Sequence, residues 1–377
     1  MRGRGHALPL VVSLVALFAS ASRVKLVVDT DIGQNCDDAW ALSYVMSRGD
    51  VFDLRLVLSS SRNTTGRALL AAKLLALGGR PDVPVGIGTP TPLGEQMQGV
   101  GPEWPWIGSF TLKDYPGKVA SDGLAALEAE LAAASPSNPV WVLGLAPMGN
   151  LAAVLGSRPE LALNARLVAM SGSISAGYDL RPPAVPEYNV AENVTAAQTV
   201  YGMTWGTPAV TAPIDTSAFF QVTGDAYRRF LEAAGGGGGR QEEPPLARVL
   251  LENYRVWFEH GGSSHGAMRP FSPANASSAM FDLQTAYMAA CAAEGALFGW
   301  TNCTQHRYPA LDSLPLRLVV DASGYTRVQP SAGAQAGEAQ LFFAATNFSM
   351  PREAASDAMG AHVVDWIARG AWSLPAP

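Results

Sequence analysis

Apolar and polar positions along this chain follow two alternating periods. Short apolar runs at Val24–Val28, Leu54–Leu58, Val83–Ile87, Val140–Leu145, Leu167–Met170 and Ala209–Ala212 have the length of buried strands. Between them lie stretches with helical spacing, at Asp37–Ser47, Thr64–Leu77, Asp122–Ala134, from Asn150 onward, and at Thr195–Thr204. In the first of these Leu42, Val45 and Met46 share one face. Strands that alternate with helices and lack tight hairpin turns predict a largely parallel sheet covered on both faces. From Phe219 to Gly299 the pattern is mostly helical, broken by Gly235–Gly239, a glycine run too flexible for an element interior and read as a surface loop. Strand-like segments follow at Leu316–Val320, Tyr325–Val328 and Leu341–Ala345, then a helix from Arg352 to Arg369. The expected fold is α/β: an open, mostly parallel sheet flanked by helices, with a helical lobe and a small C-terminal β element.

With 377 residues and 48% hydrophobic content the chain can bury a large core, and its formal charge of −6 argues against a nucleic-acid backbone as partner. Residues 1–21 carry Arg2 and Arg4, an apolar run from Leu8 to Phe18 and the small residues Ala19-Ser20-Ala21, the arrangement of a secretory signal, leaving 22–377 as a single domain. That apolar run is too short for a comfortable membrane span, so no membrane partner is expected. Five Asn-x-Ser/Thr sequons, at Asn63, Asn193, Asn275, Asn302 and Asn347, favour a eukaryotic secretory route and a secreted glycoprotein. Of three cysteines, Cys291 and Cys303 are near enough in sequence to pair in an oxidising compartment. Cys36 reads as a loop-packing residue, because the acids around it raise a thiol pKa.

Those acids change the picture most. Asp29-Thr30-Asp31-Ile32-Gly33-Gln34-Asn35-Cys36-Asp37-Asp38 gathers four carboxylates at the end of an apolar strand and the start of a helix. Capping and turn formation account for either acidic pair alone, but poorly for both on one strand-loop-helix unit. Four unpaired carboxylates would repel one another, and a hard divalent cation with oxygen ligands is the simplest compensation. Calcium or magnesium suits such a site better than zinc.

The stretch DTDIGQNCDDAWAL resembles the N-terminal signature of the calcium-dependent, inosine-uridine preferring nucleoside hydrolases, usually written DxDPGxDDAxA. This chain carries two more residues between the glycine and the acidic pair. Three later segments extend the resemblance over most of residues 24–300. Ala146-Pro147-Met148-Gly149-Asn150-Leu151-Ala152 is similar to the family's GPLTNLA-like turn, with Gly149 where a backbone carbonyl binds calcium. Glu187-Tyr188-Asn189, followed by Asn193 and Ala196-Ala197, resembles the sugar-binding EFNxxxDPEAA segment, with Asn193 in place of its Asp. In Met280-Phe281-Asp282-Leu283, Asp282 takes the place of the last protein ligand of calcium, while Phe281 stands where purine-accepting members commonly carry histidine.

The resemblance implies hydrolysis of the N-glycosidic bond of ribonucleosides. Asp31 would act as general base on a calcium-activated water, Asp31, Asp38, Asp282 and the Gly149 carbonyl would hold the ion, and Asp37 would accept from a ribose hydroxyl. Asn35, Met170, Glu187, Asn189 and Asn193 complete the expected substrate contacts. Phe281 cannot donate a proton to the leaving base, so His265 is the candidate acid and His260 its neighbour in sequence. The implied partner is a small nucleoside, and a homo-oligomer is compatible with the chain. Two alternatives compete: a secreted calcium-dependent nucleoside- or sugar-binding protein without turnover, and a DxD-type phosphatase. Asp31 argues against a pure binder, and Asp37-Asp38 is left unexplained by the phosphatase.

Overall fold

The computed structural model describes residues 23–91, 101–235, 245–263, 269–297, 307–308, 310–329 and 340–371. The first half alternates β1 (Val24–Thr30), α1 (Asp37–Ser47), β2 (Phe52–Ser59), α2 (Thr64–Leu77), β3 (Val85–Ile87), β4 (Val119–Ala120), α3 (Gly123–Ala132), β5 (Val140–Gly144), α4 (Gly149–Ser157) and β6 (Ala165–Met170). Helices α5 (Tyr188–Ala191) and α6 (Val194–Tyr201) lead to β7 (Ala209–Ala212) and α7 (Ile214–Ser217). The helical lobe comprises α8 (Gly224–Gly235), α9 (Leu246–Glu259) and α10 (Phe281–Leu297). Strands β8 (Arg307–Tyr308), β9 (Leu311–Val320), β10 (Thr326–Val328) and β11 (Gln340–Phe348) precede α11 (Arg352–Ile367). Gly235 closes α8; the rest of the glycine run, and the proposed signal, lie outside the described residues.

Among the described residues all eleven strands belong to one sheet, ordered β10-β9-β11-β7-β6-β5-β1-β2-β3-β4 with β8 paired to β9. From β4 to β11 every pairing is parallel; β9, β10 and β8 form an antiparallel margin. The C-terminal β element is thus the edge of the main sheet. Strand β9 begins five residues before the expected Leu316, because Pro315 reads as a stop in sequence. It is tolerated there because β10 pairs only with Leu318, Val319 and Val320, leaving that flank of Pro315 without a ladder bond to lose.

The two faces of the sheet are covered separately, as its parallel centre requires. In β1, Leu26 and Val28 join a core with α1, α2, α8, α9, α10 and α11. Val27, between them, joins Leu56, Leu58, Leu127, Leu131, Leu151 and Val200 on the opposite face. Trp40 of α1 stacks among Tyr227, Phe230 and Tyr254, joining the helical lobe to the sheet. Among the described residues no helix is long and apolar enough to cross a membrane.

A candidate active site at the switch point of the sheet

Successive strands run outward from β1 to β4 on one side, and the chain then returns to place β5 on the other side of β1. Such a reversal leaves a crevice beyond the carboxyl ends of the two strands. Asp29 and Thr30 end β1 there, and Gly149 opens α4 just past the end of β5.

The loop from β1 to α1 is fixed along its length. Gly33 has a φ of 124°, which a side chain would strain. Its carbonyl accepts from the Glu103 amide at 3.3 Å, and a Cβ on Gly101 would stand only 2.5 Å from the same oxygen. Trp257 Nε1 donates to the Gln34 carbonyl at 3.2 Å, Asn35 Oδ1 accepts from the Cys36 amide at 3.2 Å, and Cys36 Sγ lies 3.1 Å from Ser278 Oγ. The two extra residues of this loop are therefore anchored on α9 and on the approach to α10.

Helices α1 and α10 both begin at the crevice, so the positive ends of their dipoles meet the acids. Asp37, Asp38 and Asp282 are buried, each offering a carboxylate oxygen within 4.8 Å of the others. The Asp282 amide donates to Asp37 Oδ2 at 3.2 Å, and the Thr30 hydroxyl donates to Asp38 Oδ1. Burial first, and then charge repulsion from Asp31, pushes the Asp37 carboxyl up to about 7. Burial and neighbouring acids raise Asp38 and Asp282 well above the usual carboxylate range. Asp37 Oδ1 is buried with no hydrogen-bond partner. A hard divalent cation fits this donor set, because it would remove the repulsion among the buried carboxylates.

The expectation grouped Asp31 with Asp38 and Asp282 and gave Asp37 to the sugar. The converging carboxylates are Asp37, Asp38 and Asp282, whereas Asp31 Oδ2 stands 3.5 Å from Arg67 Nη1. Burial raises the Asp31 pKa and the Arg67 guanidinium opposes the rise. Asp29 is occupied differently. Its Oδ1 accepts from Asn150 Nδ2 at 2.9 Å, and burial pushes its carboxyl up to about 7. Asn150 also donates to the Ser59 carbonyl at 3.1 Å and accepts from the Thr89 amide at 2.9 Å, tying β1, β2 and the segment after β3 to α4.

The remaining expected contacts line the ends of β5 and β6. Glu187 is buried and takes amides from Gly172, Asn189 and Val190, holding the turn after β6 against α5; burial pushes its carboxyl up to about 7. Asn189 Nδ2 donates to the Met170 carbonyl at 3.0 Å and the Leu145 carbonyl at 3.3 Å. Asn193 caps α6 through the Ala196 amide, and its Nδ2 would lie 3.6 Å from a Cβ on Gly149. Phe281 meets Tyr178 edge-on, with centroids 6.0 Å apart. His260 is an exposed residue at the end of α9. His265 and Cys303 lie outside the described residues, and Cys291 carries a free thiol that burial pushes up to about 12.

Sequence reasoning passed over Arg67 and Glu103. Arg67 is fully buried within the apolar helix α2, where a charge on the face shared with Ala71 and Leu74 was the available signal. Glu103 is fully buried, accepts from Asn253 Nδ2 at 3.2 Å, and is pushed up to about 8 by burial. It sits in a loop between prolines and tryptophans, and no periodicity marked it. Buried polar atoms without a protein partner collect around this crevice: Asp37 Oδ1, Ser61 Oγ, Arg67 Nε and Nη2, Glu103 Oε1, Tyr188 Oη and Asn253 Oδ1. Ser61 and Arg62, at φ 63° and 50°, are consecutive left-handed residues at the end of β2, a strain of the kind kept at functional sites.

Known proteins share both sequence and fold with this chain. A pyrimidine-specific ribonucleoside hydrolase, RihA, of Salmonella paratyphi B (strain ATCC BAA-1250 / SPB7) is 26% identical over 253 residues, covering 63% of this chain and 72% of the relative. RihA of Salmonella agona (strain SL483) is 28% identical over 223 residues, 55% of this chain and 65% of that protein. Among solved structures, an inosine-guanosine nucleoside hydrolase superposes with a TM-score of 0.64 at 15% identity, covering 93% of this chain and 100% of its own. The inosine-uridine preferring nucleoside hydrolase of Bacillus anthracis gives 0.61 at 13% identity, covering 92% and 98%. These structural likenesses speak to the fold; the sequence match to the family runs from residue 26 to residue 352, and the chain belongs to the inosine-uridine preferring nucleoside hydrolases, enzymes that cleave N-glycosidic bonds.

Proposed function

We propose that this N-glycosyl hydrolase splits ribonucleosides into base and ribose with calcium as its ion and Asp31 as general base. The observation that carries the reading is the buried acid cluster: Asp38 and Asp282 converge with Asp37, and Asp31 is near enough for its charge to act on all three. Asp38 and Asp282 would hold the ion with Asp31 and the Gly149 carbonyl. When bound, calcium would lower the pKa of a water and grip the ribose diol. Asp31 takes the proton of the attacking water, and Arg67 beside it opposes the rise that burial imposes on its carboxyl. Asp37 Oδ1, the oxygen without a protein partner, accepts from a ribose hydroxyl. Glu187 braces the turn after β6, so that Asn189 and Met170 present a fixed wall to the sugar. Phe281 and Tyr178 form an aromatic surface for the base and supply no proton to it, which leaves His265 as the proposed acid. The relatives' names divide between pyrimidine and purine nucleosides, so both belong in the assay. Residues 1–21 are proposed to direct the protein into the secretory pathway.

The test is a panel of inosine, uridine, adenosine, cytidine and p-nitrophenyl riboside, assayed with calcium and with EDTA. The proposal expects turnover of ribosides that EDTA abolishes and calcium restores. Turnover unaffected by EDTA would refute the calcium assignment, and no turnover of any riboside would refute the function.

A further inference from the structure

The sugar-binding segment carries a hydroxyl that its resemblance to EFN does not require. Tyr188 stands where that pattern has phenylalanine, between Glu187 and Asn189. Its ring is half-buried beneath the Arg62 guanidinium, 5.7 Å from the ring centre. Arg62 in turn donates to Glu192 at 3.2 Å and to Gln34 of the acidic loop at 3.4 Å, so the ring is held between the loop after β1 and the turn after α5. Tyr188 Oη is nevertheless buried and has no hydrogen-bond partner. Leaving a phenol in that state costs stability, whereas phenylalanine would fill the same space without penalty. Asp37 Oδ1, across the same crevice, is in the same condition. Burial first, and then the Asp31 charge, push the phenol pKa up, so the hydroxyl keeps a proton to donate.

Resting on the function proposed above, we propose that Tyr188 is a specificity-determining residue whose hydroxyl donates a hydrogen bond to a ribose oxygen of the bound nucleoside. Its role is to select the polyol; it makes and breaks no bond. The prediction separates it from a structural tyrosine by the sign of two effects. In Tyr188→Phe the orphaned hydroxyl is gone, so the thermal midpoint without ligand stays level or rises. With inosine and uridine the KM, and the Kd by calorimetry on the Asp31→Asn background, rise about tenfold, the worth of one hydrogen bond, while kcat stays within about twofold.

A KM and Kd within about twofold of the Tyr188 enzyme would overturn the proposal. So would a rise in KM accompanied by a lowered midpoint, which marks the hydroxyl as part of the protein's own packing. Wild-type protein that binds inosine without hydrolysing it defeats the hydrolase mechanism and leaves the Kd comparison to judge Tyr188; protein that binds no riboside defeats both.

Discussion

Replacing Asn150 by alanine tests whether the switch point is held together as described. One carboxamide serves three elements: Nδ2 donates to Asp29 Oδ1 at 2.9 Å and to the Ser59 carbonyl at 3.1 Å, and Oδ1 accepts from the Thr89 amide at 2.9 Å. Asp29 and Ser59 are buried, so each acceptor left unpaired costs about 1–3 kcal/mol, whereas Thr89 is exposed and its amide can turn to water. Asn150→Ala should therefore cost about 2–6 kcal/mol, a large share of an ordinary folding free energy of about 5–15 kcal/mol. Asn150→Asp should cost more at pH 8, because it sets a carboxylate against two acceptors, and less at pH 5, where a protonated carboxyl can still donate to one of them. Urea unfolding reads both variants as a shift of midpoint at constant slope. A cost below about 1 kcal/mol for the alanine variant, or an aspartate variant no worse than alanine at pH 8, would refute the claim that Asn150 bears this load.

The other expectations concern the ion and the base. Calorimetric titration of Asp38→Ala should find calcium affinity lowered at least tenfold, and unchanged affinity removes Asp38 from the site. Asp31→Asn should lose about 10²–10⁴ in kcat while inosine binding partly survives; near-normal turnover would exclude Asp31 as base. Asp29, Asp37 and Glu187, raised to about 7, and Glu103, raised to about 8, hold protons in the native state that the unfolded chain releases near pH 4. The stability they contribute is complete below that pH and lost as pH rises through 7–8, so the metal-free protein should melt lower at pH 8 than at pH 5, with calcium recovering more at pH 8; the reverse order in a calcium-free thermal scan would contradict these shifts. His265→Ala should slow natural nucleosides far more than p-nitrophenyl riboside, whose leaving group departs unprotonated, and equal losses would free His265 of the role.

What could be read from the sequence is what local physics determines. The apolar runs of β1, β5 and β6 have nowhere to go but the centre of a parallel sheet, and four acids in ten residues have no inexpensive explanation without a cation. Pairing across long separations is beyond local physics, and Asp282 entered the expected site only through the family resemblance. Asp282 stands within reach of Asp37 only because α10 packs beside α1 and places its first amide on the Asp37 carboxylate. Arg67 looks in sequence like a solubilising charge on a helix, and only the burial of α2 turns it into the counter-charge of Asp31. Glu103 reaches the crevice by a loop with no period at all, held by the approach of Gly101 to Gly33.

The same contrast explains why Asp29 and Asp31, one next to last in β1 and the other just past its end, meet different partners. Asp29 is the last strand residue whose carboxylate still faces the sheet's interior partners, where Asn150 takes it as a bracket. Asp31 lies past the end of β1, where the strand no longer dictates direction, and it meets the one guanidinium that α2 carries. Equivalence in sequence ends where the hydrogen-bonded ladder ends. What gives the two acids different partners is the reversal of strand order between β1 and β5, which brings Asn150 to one side of the acidic stretch while α2 brings Arg67 to the other.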